Sequence, residues 1–183
     1  NQAGIEPQNC SDLRDADGNP AWRGAADLPQ AEQGIVVLGT PIGNPEFVKN
    51  ILQQLAIKQQ KLLEAIPDVP NLQSAWLLLS HCAAARANYY LRVLNPNAAI
   101  EYAQWHDDAI WRCFKQLLDI SLDNADDNRA RTIAQLPLRY GGLGLRSAQR
   151  ISPAAYWASW ADSLPMIRER HPHAARIIQE TLS

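Results

Sequence analysis

From Phe47 to Leu118 apolar residues return every three or four positions, and prolines at 45, 67, 70 and 96 cut that run into helix-sized lengths. A chain written this way must bury helical faces against one another. The first helix is expected at Asn44 and Pro45, a side-chain cap followed by a residue whose missing N–H costs nothing in a first turn. Its apolar positions are Phe47, Val48, Ile51, Leu52, Leu55, Leu62, Leu63 and Ile66, and it stops near Pro67. A second runs from Asn71 to about Leu94, with Leu72, Ala75, Trp76, Leu79, Cys82, Ala83 and Tyr90 on its apolar face. A third covers about 98–121, and a fourth about 126–135. Ser152-Pro153 and His171-Pro172 open two more.

One segment reads differently. Gly34-Ile-Val-Val-Leu-Gly39 is β-branched and bounded by glycine, and Thr40-Pro41-Ile42-Gly43 turns after it. A short hairpin pairing residues 35–38 with residues near Ile42 is expected, and it must pack on helices because a lone hairpin is marginal in water. Residues 1–33 are rich in turn formers, with Trp22 and Leu28 as their anchors, and read as an extended or irregular arm. The expected fold is mainly α: a five- to six-helix bundle with one short N-terminal β-hairpin and an extended N-terminal arm. At 183 residues such a chain can bury roughly 70% of its unfolded surface, so its stability calls for no disulfide or metal.

Charge is unevenly placed. The net value is -2, which argues against a dedicated nucleic-acid binder. Yet between Arg129 and Arg150 there are five arginines and no acid, while residues 1–48 hold seven acids and two bases. Arg129, Arg131, Arg139, Arg146 and Arg150, with Tyr140 among them, have the composition of a nucleic-acid contact: cations for phosphate and an aromatic for stacking. A basic rim that pairs with the acidic arm is the other reading. Gly141-Gly142-Leu143-Gly144 and residues 34–43 fit neither dinucleotide nor P-loop spacing. They read as structural turns, or as backbone that meets a phosphate.

Other constellations carry less chemistry. His106-Asp107-Asp108 puts two carboxylates about 100° apart on a helix, where they do not converge on one ion, and a solvated face is expected. Ser80-His81-Cys82 lacks an orienting third group, and neighbours on a helix do not face each other. Tyr156, Trp157 and Trp160 share related faces of one helix and read as core, or as a partner-binding patch together with Trp22. Cys10, Cys82 and Cys113 show no zinc spacing; no metal and no cofactor are expected. No run reaches the ~20 apolar residues of a membrane span. The visible start shows no signal-peptide pattern and no Met, which reads as a processed chain or a fragment and leaves the compartment open.

Four stretches, taken in order and spacing, resemble the downstream part of reverse transcriptases from non-LTR (LINE-like) retroelements. They are Gly34-Ile-Val-Val-Leu-Gly-Thr-Pro-Ile-Gly43; Glu46-Phe47-Val48; Leu136-Pro-Leu-Arg-Tyr-Gly-Gly-Leu-Gly-Leu-Arg-Ser147; and Ala155-Tyr-Trp-Ala-Ser-Trp160. The resemblance runs from about Trp22 to about Arg170. It implies that the hairpin corresponds to the primer grip, the helices after it to the thumb, and the glycine-rich stretch to the segment beyond the thumb, so that residues 34–183 form a thumb-like domain. The family's catalytic aspartates lie upstream of the hairpin on a strand-turn-strand, and residues 1–33 hold nothing of that kind. Asp107-Asp108 lies on the wrong side of it, and the zinc knuckle common downstream is absent. Polymerase activity is therefore not expected of this chain alone. The resemblance implies a non-catalytic module that grips an RNA–DNA or other nucleic-acid duplex along its backbone. The alternative is a domesticated accessory subunit that docks on protein through its Trp-rich faces and its arm.

Overall fold

The computed structural model describes residues 28–182. Of the arm expected over 1–33, only the last six residues fall within that range, and Trp22 lies outside it. The chain divides into two compact units. One holds the described residues up to Ala83 together with Asp108–Ser121; the other holds Ala84–Asp107 and the residues from Leu122 onward.

In the first unit, β1 (Gly34–Val37) pairs antiparallel with β2 (Thr40–Gly43), with Ile35 opposite Ile42. The two turn residues both have positive φ, 50° at Leu38 and 83° at Gly39. That backbone matches the twist of the strands, which is why two-residue hairpins use it, although Leu is an uncommon occupant. Helix α1 (Pro45–Ala65) starts where its cap was expected: the Asn44 side chain accepts the Glu46 amide at 3.0 Å. It buries Phe47, Val48, Leu52 and Leu63 and packs against β2. The Phe47 ring fills the space beside Gly34 where any side chain would stand.

The second expected helix is broken into kinds. Helix α2 (Leu72–Leu77), capped by Asn71 on the Ser74 amide, passes into a π-helical turn over Leu78–Ala83. Ala75, Leu79 and Ala83 are buried at a spacing of four, which the wider π turn keeps on one side. Cys82, expected on the apolar face, is exposed as a result. Residues 108–117, the second half of α4 (Pro96–Leu117), complete this unit, with Trp111 stacked on Phe114 at 5.3 Å and Trp76 edge-on to Phe114 at 5.8 Å. The helix closes through Asp119 in the left-handed region, with the Ile120 amide returning to the Lys115 carbonyl.

In the second unit, a 3-10 turn (Ala84–Ala87) leads into α3 (Asn88–Val93), and the first half of α4 follows. Asp123 caps α5 (Asn124–Ala134) by accepting the Ala125 and Asp126 amides. Helix α6 (Ala148–Arg170) packs against α3 and against α7 (Pro172–Leu182). It begins four residues before the expected Ser152, so Pro153 lies inside it, as Pro165 does further along. An interior proline costs about 3 kcal/mol, and the packing of α6 on both neighbours outweighs that local preference. With the run from α2 to α3 counted once, the described residues form six helices and a hairpin.

Candidate nucleic-acid interface

The basic segment lies in the second unit, where residues 136–146 fold back on the end of α5. A helix leaves its last carbonyls without partners, and here the loop supplies the donors. The Leu143 and Leu145 amides both donate to the Ala134 carbonyl, at 3.1 and 3.2 Å, and the Gly144 amide donates to that of Leu136 at 2.9 Å. The Tyr140 and Gly142 amides donate to Pro137, and the Gly141 amide to Leu138. Gly141 and Gly144 take φ of 79° and 71°, a region that glycine enters freely. Gly142 is required for another reason: it is buried, and a Cβ there would run into the carbonyls of Leu136 and Ile133. Every amide from Tyr140 to Leu145 is thus used within the chain. A phosphate cradle needs free, converging N–H groups, so these glycines serve the turn.

What this loop offers outward is side chains. Leu138–Tyr140 forms one 3-10 turn, and all three residues are exposed, Tyr140 to 64%. The Arg139 guanidinium carbon stands 4.8 Å from the centre of the Tyr140 ring, a cation–π arrangement. Arg150, in the first turn of α6, donates from Nη2 to Gln135 Oε1 at 2.9 Å and ties the start of α6 to the end of α5. Arg146 is exposed just before that helix. Arg129 is exposed on α5 and Arg131 is half-buried; two positions apart on a helix, they project roughly 200° apart. The structure therefore joins Arg139 to Tyr140 and Arg150 to Gln135, and places Arg129 and Arg131 on different sides of α5.

Of the two aspartates expected on a solvated face, Asp107 is instead buried. Asp107 is 7% exposed and caps α6 from a distance of forty residues in the chain. Its carboxylate accepts the Ser147 hydroxyl at 2.7 Å and the Ala148 and Gln149 amides at 2.6 and 3.2 Å. Ser147 Oγ in turn accepts the Arg150 amide. His106 is buried beside it, with Nε2 3.3 Å from the Ala84 carbonyl oxygen, and desolvation lowers its pKa. Helical periodicity carried the burial signal at 99, 102, 103, 106 and 110, but the polarity of two adjacent residues masked it. Only Asp108 is exposed as expected.

Ser80 and His81 also meet, against expectation: Ser80 Oγ lies 2.8 Å from His81 Nδ1. The hydroxyl gives its proton to the Trp76 carbonyl at 2.7 Å. His81 Nδ1 must then be the donor, the reverse of what a base activating a serine requires. Among the described residues no group of three His, Cys, Asp or Glu is placed to hold a metal, and no helix is long and apolar enough to cross a membrane. On α6, Tyr156 is buried and sits edge-on to Trp157 and Trp160, whereas Trp157 is half exposed. One aromatic of the three belongs to the core, and Trp157 faces outward.

The chain is 26% identical over 112 residues to the retrotransposable element SLACS 132 kDa protein of Trypanosoma brucei gambiense. The match covers 61% of this chain and 9% of that protein. The similarity indicates a retroelement-related region, and the chain spans only a small part of the length of the protein it matches. No protein-family model matches the chain, and no solved structure gives a significant match.

Proposed function

We propose that this chain is a nucleic-acid-gripping module, derived from or belonging to a retroelement reverse transcriptase, that contacts phosphate through Arg139, Arg146 and Arg150 together with one of Arg129 and Arg131, which lie on different sides of α5. The observation that carries this reading is the Arg139–Tyr140 turn, exposed and held rigid on the end of α5. It stands in an acid-free segment of a retroelement-related chain. Such a module positions a duplex by its backbone and does not read bases. In this reading the chain grips and does not itself polymerise.

A titration with a labelled RNA–DNA hybrid at two salt concentrations tests this. With about four phosphate contacts, affinity should fall on the order of a hundredfold between 50 and 200 mM salt. Joint replacement Arg139→Glu and Arg146→Glu should abolish binding. Absence of binding at low salt would remove the reading.

A second reading, an accessory subunit docked on protein, draws on the exposed Trp157 and on Leu38, 93% exposed at the hairpin tip. It predicts that the chain purifies in a stable complex whose assembly is lost on Trp157→Ala and is insensitive to the arginine changes.

A further inference from the structure

We propose that Tyr140 takes an unpaired nucleobase on its ring, so that this surface prefers a single-stranded overhang beside a duplex to the blunt duplex itself. The inference rests on the nucleic-acid reading above and adds to it which structure the surface selects.

Three observations carry it. A tyrosine buries a large apolar area when it serves a core, and Tyr140 leaves most of its surface to solvent. The guanidinium of Arg139 lies over one face of the ring, which leaves the other face for a base and keeps a cation for phosphate within the same turn. The backbone that carries the ring is also preorganised. The amides of Tyr140, Gly141 and Gly142 close the turn, those of Leu143, Gly144 and Leu145 fasten it to α5, and Gly142 fits a space that admits no side chain. A platform fixed this way loses little conformational freedom when a base settles on it. Bases within a duplex have both faces covered by their neighbours, so only an unpaired base can offer a face to the ring. The charges flanking the ring in sequence are Arg139, Arg146 and Arg150, with no acid from 129 to 150, which favours an anionic ligand, and the exposed ring beside them suits one that also carries a flat base.

The test compares three labelled probes on the full chain: a blunt RNA–DNA hybrid, the same hybrid with a short RNA overhang, and that overhang carrying 2-aminopurine at its first unpaired position. The expected result is about tenfold tighter binding of the overhang probe, with 2-aminopurine fluorescence quenched on binding. Tyr140→Ala should erase the quenching and bring the affinities for the blunt and overhang probes together, whatever their common value. Tyr140→Phe should keep the quenching and the preference. Circular dichroism of each variant checks that the helices persist. Equal affinity for blunt and overhang probes, or a preference that survives Tyr140→Ala, would overturn this inference and leave the gripping module standing. Failure of every probe to bind at low salt would overturn both.

Discussion

The carboxylate of Asp107, on α4, accepts the backbone N–H of Ala148 at 2.6 Å and so caps α6 from forty-one residues away. The first amides of a helix carry no internal partner and a partial positive charge. A buried carboxylate that accepts two of them and a hydroxyl supplies both charge and hydrogen bonds at that end. The start of α6, and with it the end of the arginine-bearing loop, is held in place by a residue on another helix.

Asp107→Ala should therefore lower stability by about 2–3 kcal/mol, since it strands the Ala148 and Gln149 amides without their charged acceptor. Asp107→Asn keeps one acceptor oxygen and should lose less. Urea unfolding followed by circular dichroism would measure both; equal, negligible losses would contradict a capping role.

The two glycines of the loop should respond differently to alanine. At Gly142 a methyl group meets the carbonyls of Leu136 and Ile133, and a loss of about 3 kcal/mol is expected. At Gly144 there is open space, and only the φ of 71° resists, so the loss should be about 1 kcal/mol. A larger effect at 144 than at 142 would show that the turn is held some other way.

His106 should make stability pH-dependent. Burial lowers its pKa, while the Ala84 carbonyl and the Asp107 charge act in the opposite direction. An unfolded imidazole titrates near about 6.5. Below that value the unfolded chain takes up the proton before the folded one does. The stabilisation is thus present in full above about pH 6.5 and is lost as the pH falls through the folded value. Unfolding midpoints of the wild type and His106→Gln, compared on both sides of that point, should converge as the solution is acidified.

The two described cysteines should differ in reactivity. Cys113 is buried and its thiol is pushed up to about 11 by desolvation, whereas Cys82 is exposed. Thiolate is the reacting form. Alkylation of the native chain with iodoacetamide, read by peptide mass mapping, should label Cys82 and spare Cys113 until denaturant is added.

Local signals in this chain were legible wherever their cause lies within one turn. Asn44-Pro45, Asn71 and Asn95 each precede a helix and cap it, because a short polar side chain reaches an amide two or three residues on. The hairpin followed from β-branched residues and a glycine turn, and the loop at 141–144 from the conformational freedom of its glycines. The candidate arginines could be named from composition alone. Their geometry could not: that Arg139 lies over Tyr140 and that Arg150 binds Gln135 depends on how the loop closes on α5.

The sequence by itself determined the helical class, the presence of the hairpin and most helix starts, since periodicity and capping are encoded in neighbours; the hairpin turns at Leu38 and Gly39, and Thr40–Gly43, expected as the turn, is its second strand. Only the tertiary structure decided that Asp107 and His106 are buried, that α6 runs through Pro153, that Tyr156 turns inward while Trp157 does not, and that a π turn moves Cys82 outside. Each of those outcomes depends on a partner far away in the chain. A carboxylate is buried only where distant amides wait for it, and a proline is tolerated in a helix only where packing outweighs the bond it removes.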